Sequence, residues 1–270
     1  MPPTVDLPLP ASDVHDVGPD ARAQRGRRQR RVLRQYGLTR RSEVLEVGCG
    51  VGRLAWELAQ IIDEGSYTGF DIAPAAVQWL ETNYASRLAN FAFDLVEVTS
   101  DRYQIDSPTA AAHFHFPYPS DRFDLVCSFA VFMHMQLDGV ANYLREIERV
   151  LRPGGRAVLT MLAVHPDERF APSLGGRRFI EIEPGVFSRH PDKPNASHAF
   201  AASLLSTTIA DAGLSVVDQV EGSWHGRRCT DPEAAERQLG GDLFVLSPTR
   251  RSPAPRSSIQ TLTYAHEALA

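Results

Sequence analysis

Short apolar runs alternate with amphipathic segments along most of the chain, and this alternation predicts strands that alternate with helices. Apolar runs typical of buried strands fall near residues 43–47, 66–70, 91–97, 123–128, 156–162, 215–220 and 242–247. Helical spacing of apolar residues falls near residues 22–36, 52–63, 74–87, 138–151 and 200–212. Such an alternation favours a mostly parallel sheet with helices on both faces, so the predicted fold class is α/β.

Both ends of the chain and one internal segment lack this alternation. Residues 1–21 are rich in Pro and Asp, which predicts a flexible arm. Residues 248–270 are rich in Pro, Ser and Arg at their start, which predicts a largely disordered tail. Residues 22–247 are interpreted as one domain, within which residues 165–198 hold five prolines and form an irregular insertion.

A glycine-rich turn follows the first predicted strand and leads into a helix. Gly48, Gly50 and Gly52 alternate with other residues there, and glycine lets a backbone take positive φ and lie directly against a ligand. The helix N-terminus adds unpaired N–H groups and a positive dipole end. Asp71 ends the second apolar run, where its carboxylate can accept hydrogen bonds from two ribose hydroxyls or cap the following helix. The ribose interpretation predicts a cofactor that contains a nucleoside.

The glycine spacing by itself leaves the class of cofactor open. The dinucleotide-binding fingerprint has glycine or alanine at its sixth position. Counted from Gly48 that position is Arg53, which does not fit; counted from Gly50 it is Ala55, which does. Glu46 lies two residues before the first glycine, and an acid there suits a ligand that carries an ammonium group rather than a pyrophosphate.

These motifs resemble the class I S-adenosylmethionine-dependent methyltransferases, whose first motif is (D/E)-x-G-x-G-x-G. Asp71 falls where that family keeps its ribose-binding acid, and residues 123–126 and 144–155 are similar to its fourth strand, next helix and following turn. The resemblance covers roughly residues 32–165 and makes 22–247 a methyltransferase domain. It implies a Rossmann-like fold, a seven-stranded sheet whose last strand pairs antiparallel, and S-adenosyl-L-methionine as the cofactor.

The resemblance also implies roles for residues at the carboxyl ends of the strands, where ligands bind in such folds. The three glycines contact the cofactor, Glu46 helps to hold its methionine ammonium, Asp71 binds its ribose and Ile72 packs on its adenine. Glu97, at the end of the third strand, is the candidate for recognising the adenine amino group. The loop that follows Glu97 is long and offers Ala112 and His113 for the same role.

The end of the fourth strand is expected to face the reacting centre. Ser128 and Phe129 lie there, under the sulfonium by resemblance, and the alternative for Phe129 is an ordinary core position. His134 follows closely and is the candidate general base or acceptor ligand; the alternative is a histidine at a helix start that bonds to the nearby backbone. No cluster of histidine, cysteine and carboxylate has metal-ligand spacing, so no metal is predicted.

Composition and charge agree with a soluble enzyme. The chain has 270 residues, 43% of them hydrophobic, and no apolar run approaches the ~20 residues of a membrane span. Its three scattered cysteines favour reduced thiols, so the cytoplasm is the predicted location. Residues 22–41 hold nine arginines and no acid, which is typical of nucleic-acid binding, but the net charge of -5 argues against it. A helix with a charged outer face that lies over the cofactor cleft is the favoured interpretation.

The predicted function is transfer of a methyl group to a small-molecule acceptor, with oxygen as the accepting atom and a role in secondary metabolism. The N-terminal segment and the insertion at residues 165–198 are expected to cover the acceptor site. One alternative is an NAD(P)-dependent oxidoreductase, but the chain has no Tyr-x-x-x-Lys pair and its sole lysine, Lys193, is flanked by prolines. The other alternative is a non-catalytic module that binds S-adenosylmethionine. The sequence indicates no oligomeric state.

Overall fold

The computed structural model describes residues 7–8, 19–100, 105–166, 173–174, 177–190, 197–225 and 232–250. Its α-helices are α1 (Pro19–Gln35), α2 (Arg53–Leu58), α3 (Pro74–Leu80), α4 (Leu137–Val150), α5 (Ala202–Asp211) and α6 (Pro232–Arg237). Its strands are β1 (Glu43–Val47), β2 (Ser66–Asp71), β3 (Phe91–Leu95), β4 (Phe123–Ser128), β5 (Leu151–Met161), β6 (Ala163–Val164), β7 (Ser173–Leu174), β8 (Arg177–Arg178), β9 (Ile180–Glu183), β10 (Val186–Ser188), β11 (His198–Ala201), β12 (Leu214–Val220) and β13 (Asp242–Pro248).

A seven-stranded sheet lies at the centre of this fold, in the order β3-β2-β1-β4-β5-β13-β12. The first five strands of this order run parallel, and β13 runs antiparallel to both β5 and β12. The predicted α/β fold with a mostly parallel seven-stranded sheet is therefore confirmed. The strand order reverses between β1 and β4, so the carboxyl ends of these two strands frame the crevice in which such sheets bind ligands.

Helices cover both faces of the sheet, because each helix buries one apolar stripe against it. On one face α4 and α5 bury Leu144 and Leu205 in a common core. On the other face α1, α2 and α3 bury Leu33, Leu54 and Leu80 in a second core. No helix within the described ranges has the length and apolar character needed to cross a membrane.

The arginine-rich helix α1 packs against α2 with one face only. Its inner face carries Gly26, where an added Cβ would come within 2.9 Å of the Arg53 carbonyl oxygen, and Arg30, which forms an ion pair with Glu57 at 2.9 Å. Its outer face is charged, as expected from the sequence; the exposed arginines are Arg25, Arg27, Arg28, Arg31 and Arg34. Because Arg53 directly follows the glycines, α1 lies beside the predicted cofactor site.

Several element boundaries differ from the expectation. Strand β5 begins at Leu151 rather than near residue 156, because the segment expected to turn pairs irregularly with β4 and places Gly154 at φ 86°. The helix expected over 52–63 ends at Leu58, whose carbonyl then accepts the N–H groups of Ile61 and Ile62. The helix expected over 74–87 is α-helical only to Leu80 and continues as a π-helical turn over Glu81–Ala85.

The N-terminal arm is docked where it is described, although the sequence predicts a flexible segment. Leu7 is buried, the Trp56 indole N–H donates to its carbonyl at 3.3 Å, and the Tyr84 hydroxyl donates to the Pro8 carbonyl at 3.0 Å. The helix α1 begins at Pro19, before the expected end of the arm. Residues 1–6, 9–18 and 251–270, together with Lys193 and Cys229, lie outside the described residues.

A second sheet includes parts of the segment for which the sequence predicts an irregular insertion. It has four strands in the order β6-β11-β10-β9. Strand β6 follows β5 after one residue, and β11 pairs parallel to β6, so the second sheet begins at the carboxyl end of β5. Phe179 and Phe187 pack there with Leu162 and Trp224 in a third apolar cluster. That this segment covers an acceptor site stays a prediction.

Candidate functional site

The glycine turn, residues 48–52, leaves β1 at the centre of the sheet. Gly48, Gly50 and Gly52 have φ angles of 75°, 52° and 78°, a region that glycine adopts at low energetic cost and other residues rarely adopt. The N–H groups of Gly48 and Cys49 both donate to the Phe70 carbonyl, at 2.9 and 3.0 Å. The turn is therefore fastened to the end of β2.

Two of these glycines also permit close packing. A Cβ at Gly48 would come within 2.4 Å of Val131 Cγ2, and one at Gly52 within 2.3 Å of Leu80 Cδ2. Gly50 lies between them and is half-buried. The positive φ of all three residues and the tight packing of two explain the motif locally, and their contact with a cofactor stays a prediction.

Asp71 joins the glycine turn to the start of α3. One carboxylate oxygen accepts the N–H of Gly50 at 2.7 Å, and the other accepts the N–H of Ala73 at 3.0 Å. The N-cap residue of α3 is Ala73, so the alternative in which Asp71 itself caps the helix is wrong in position, although its side chain does stabilise the turn before it. Asp71 and Ile72 are both half-buried, at the carboxyl end of β2 beside the glycine turn.

Glu46 is a buried acid at the carboxyl end of β1, with only 3% of its surface exposed. The Tyr67 hydroxyl donates to its Oε2 at 2.6 Å. Burial raises the pKa of Glu46 to about 8, although the hydrogen bond from Tyr67 and the nearby charge of Arg53 both lower it. The carboxyl is therefore mostly protonated at neutral pH, and a cation placed beside it would favour the ionised form.

Three further predicted residues lie at neighbouring strand ends. Ser128 is buried, and its hydroxyl donates to the Val47 carbonyl at 3.0 Å, which ties β4 to β1 where the strand order reverses. Phe129 packs in the core cluster on the α2 face, and its place under the sulfonium stays a prediction. Glu97 is exposed just beyond β3, after Val96, whose N–H donates to the Asp71 carbonyl at 3.0 Å. A role for Glu97 at the adenine stays a prediction.

His134 ends a short 3-10 turn, Phe132–His134, just past β4. Its backbone N–H donates to the Val131 carbonyl at 2.8 Å, and its side chain is half-buried. The preceding Met133 packs against the third apolar cluster. His134 therefore lies between the exit of β4 and the second sheet.

The Asp242 cluster, formed by Asp242, Ala163, Gly222, Trp224 and His225, is absent from the sequence-based site. Asp242 opens β13 and is fully buried. One carboxylate oxygen accepts from the Ala163 N–H at 2.7 Å and the Trp224 indole at 2.8 Å. The other accepts from the Gly222 N–H at 2.7 Å and lies 2.9 Å from His225 Nε2. The sequence offered one signal for this cluster, a single acidic residue at the start of an apolar strand.

The two halves of this sheet edge offer different chemistry. The half around the glycine turn offers positive-φ backbone, a buried acid and the half-buried Asp71. The half around the second sheet offers histidines and apolar walls, with the rings of His165 and His225 6.0 Å apart. Within the described ranges, no three residues among His, Cys, Asp and Glu are grouped so that they could hold a metal ion.

A family model described as a methyltransferase domain matches residues 45–159. Malonyl-[acyl-carrier protein] O-methyltransferase of Paenibacillus sp. is 26% identical over 181 residues, which are 65% of this chain and 56% of that protein. The chain spans about half the length of the first curated relatives that it matches.

Solved structures share the fold. The 1,6-didemethyltoxoflavin-N1-methyltransferase of Burkholderia thailandensis, with bound S-adenosylhomocysteine, superposes with a TM-score of 0.52 at 18% identity, over 86% of this chain and 80% of that one. The [4+2]-cyclase SpnF superposes with a TM-score of 0.55, also at 18% identity, over 92% of this chain and 87% of that one. At these identities the likeness is one of fold.

Proposed function

We propose, from the premise that this chain belongs to the class I S-adenosylmethionine-dependent methyltransferases, that it moves a methyl group from S-adenosyl-L-methionine to a small-molecule acceptor. One observation carries the proposal: the buried carboxyl of Glu46 and the half-buried carboxylate of Asp71 flank a turn of three positive-φ glycines. When bound, this cofactor supplies a methyl group on a sulfonium, which leaves as a neutral thioether.

The residues at the glycine turn fit the two polar ends of this cofactor. Burial raises the pKa of Glu46 to about 8 despite the nearby charge of Arg53, and an α-ammonium group beside the carboxyl would further favour its ionised form. Asp71 accepts one backbone N–H on each oxygen, and a carboxylate oxygen can accept more than one hydrogen bond, so it can also receive ribose hydroxyls. Ile72 beside it offers an apolar surface for the adenine.

The remaining work of the protein is to align the acceptor and exclude water. Orientation of this kind can lower the barrier by several kcal/mol. We propose that His134, beside the exit of β4, takes a proton from an acceptor hydroxyl, with oxygen as the accepting atom. The O-methyltransferase named among the relatives is in line with this choice. Ser128 and Phe129 are proposed to lie under the sulfonium.

A second candidate function keeps the cofactor and omits the transfer. The [4+2]-cyclase with the same fold favours it, because that protein is named for ring formation rather than for methylation. The two candidates differ in one product: only a methyltransferase releases S-adenosylhomocysteine. Incubation with methyl-labelled cofactor and a metabolite extract distinguishes them, since label in a new small molecule is expected only from transfer.

Cofactor identity is tested by calorimetry with S-adenosylhomocysteine and with NAD. We expect the first to bind and the second not to bind. Gly50→Val should weaken S-adenosylhomocysteine by at least about 100-fold, or about 2.7 kcal/mol, because a branched side chain does not adopt a φ of 52° without strain and would occupy the space of the ligand. Gly154→Val is the matched control, since Gly154 also has positive φ but is exposed and far from the turn. NAD binding without S-adenosylhomocysteine binding would overturn the proposal.

A further inference from the structure

Strand β4 has a left-handed residue at each end. Asp121, before the strand, has φ 57°, and Ala130, after it, has φ 65°; among the described residues no other non-glycine residue has positive φ. Aspartate tolerates this conformation because its side chain can hydrogen-bond locally, whereas alanine has nothing to compensate with. Strain of this kind persists only where the surroundings impose it, and it clusters at functional sites.

The surroundings of Ala130 show what imposes its conformation. Its N–H donates to Oγ1 of Thr160, on the neighbouring strand β5, at 2.8 Å. Thr160 is buried, with 6% of its surface exposed. Ser128, two residues earlier, holds the Val47 carbonyl of β1 at 3.0 Å. The exit of β4 is therefore tied to β5 on one side and to β1 on the other.

The conformation of Ala130 decides where the next side chain lies. Val131 packs so closely over the glycine turn that a Cβ at Gly48 would be 2.4 Å from its Cγ2. If Ala130 relaxed to negative φ, the chain direction after it would change and Val131 would leave Gly48. The wall of the glycine turn therefore depends on a hydrogen bond made two strands away from β1.

We propose that Thr160 is a positioning residue for the cofactor site, acting through the left-handed Ala130 to hold Val131 against the glycine turn. The inference rests on the proposed function, because the ligand of that turn is taken to be S-adenosylmethionine or its product. Thr160 touches neither the glycines nor the proposed ligand groups. Its hydroxyl matters because it supplies the acceptor for the Ala130 N–H.

The test is a double-mutant cycle read by calorimetry with S-adenosylhomocysteine. Thr160→Val keeps the shape and removes the acceptor, and it should weaken binding about tenfold. Thr160→Ser keeps the hydroxyl and should bind like the natural protein. Ala130→Gly removes the energetic cost of positive φ, so Thr160→Val should weaken binding less in the Ala130→Gly background.

Two control variants separate this role from general stability. Thr208→Val removes the hydroxyl of another buried threonine, in α5, and Asp121→Gly relieves the other positive-φ residue. Both should leave the affinity unchanged. Equal affinity of Thr160→Val and the natural protein would overturn the proposal, as would a Thr160→Ser variant that binds as weakly as Thr160→Val.

Hydrogen exchange of the unliganded protein gives a readout that does not depend on the ligand. Thr160→Val should speed exchange in residues 130–135 and in residues 48–52, and leave α5 unchanged. Unchanged exchange at the glycine turn would overturn the positioning role. If the natural protein does not bind S-adenosylhomocysteine, the proposed function fails, while faster exchange at both segments would still support the link from Thr160 to the turn.

Discussion

Two buried acids lie at the same edge of the sheet, and the protein treats them in opposite ways. Glu46, beside the glycine turn, accepts one hydrogen bond, from Tyr67, and its pKa is raised to about 8. Asp242, beside the second sheet, is surrounded by four donors from two other segments of the chain, Ala163 and residues 222–225. The carboxyl of Glu46 thus has one hydrogen-bond donor, whereas both oxygens of Asp242 have two donors each.

This difference in hydrogen bonding indicates a ligand-binding role for Glu46 and a structural role for Asp242. An acid whose burial outweighs the nearby charge of Arg53 gains from a ligand that brings a further cation. An acid whose oxygens are already occupied has little to offer a ligand, but it holds together the segments that supply its donors. We therefore expect changes around Glu46 to alter cofactor affinity, and changes around Asp242 to alter the stability of the second sheet.

The largest expected effect tests whether chemistry lies on the second-sheet side. If the acceptor is a hydroxyl, His134→Ala should lower turnover by about 10²–10⁴-fold, because the general base is lost. S-adenosylhomocysteine affinity should change little, since His134 is proposed to act on the acceptor and not to hold the cofactor. His115→Ala is the matched control, because His115 is exposed and has no proposed role at the cofactor or the acceptor. Full turnover of His134→Ala would assign His134 a structural role.

The second prediction tests Asp242 as a fastening. Asp242→Asn keeps the shape but replaces one acceptor oxygen with an amide NH2 group that faces other donors, so the free energy of unfolding should fall by about 3 kcal/mol. Affinity for S-adenosylhomocysteine should stay within about twofold, because the glycine turn is untouched. Denaturant unfolding and calorimetry on one sample measure both. Asp218→Asn, at a half-exposed acid bonded to Tyr36, is the control; an equal loss of stability there would contradict the prediction.

The third prediction concerns Asp71, which both fastens the glycine turn and is proposed to bind ribose. Asp71→Asn should weaken S-adenosylhomocysteine by at least about tenfold, since the amide accepts on one atom only and carries no charge. Asp94→Asn makes the same change in the neighbouring strand β3, where the carboxylate accepts from Tyr118, and should leave affinity unchanged. Retained affinity in Asp71→Asn would remove the ribose role.

The fourth prediction uses the raised pKa of Glu46. Below about pH 8 the free protein holds this carboxyl protonated, and an ammonium ligand favours its ionised form. Affinity for S-adenosylhomocysteine should therefore rise from pH 6 to pH 8, by up to about tenfold per unit, and Glu46→Gln should flatten this rise. Glu57 is another buried acid with a raised pKa, so Glu57→Gln is the control and should show the same rise of affinity with pH as the natural protein. A pH-independent affinity in the natural protein would contradict the prediction.

The same shift fixes the sign of a stability effect. Because the folded pKa of Glu46 is above its usual value of 4.5, the folded state holds the proton more tightly than the unfolded chain. Stability from this group is full below about pH 4.5 and is lost as pH rises through about 8. Unfolding of the free protein at several pH values should show this loss, and Glu46→Gln should remove it.

The parts that the sequence predicted are those that local rules control. The order of strands and helices follows from the period of apolar residues, and β1 and β4 begin and end where the pattern places them. The glycine turn and Asp71 were found because their spacing is fixed within a single strand–turn–helix–strand unit. Three predicted boundaries were wrong because tertiary packing overrode a local signal. One example is Gly154, which was expected in a turn and lies within β5.

The parts that the sequence could not predict depend on residues far apart in the chain. The Asp242 carboxylate meets the Ala163 N–H across 79 positions, and neither residue signals the other in the sequence. The second sheet has short strands, and β9 alternates isoleucine with glutamate although all four of its side chains are exposed, so burial does not follow its pattern.

The sequence by itself thus determined the α/β fold and the location of the glycine turn, because both follow from φ preferences and from the repeat of apolar residues over short stretches. Only the tertiary structure decided which buried acid is saturated and which is not. It also decided that Thr160 holds Ala130, since a hydrogen bond between neighbouring strands requires the sheet to be assembled. A carboxylate or hydroxyl residue looks the same in the sequence whether it binds a ligand or holds the fold together. Its neighbours in the folded structure decide which role it has.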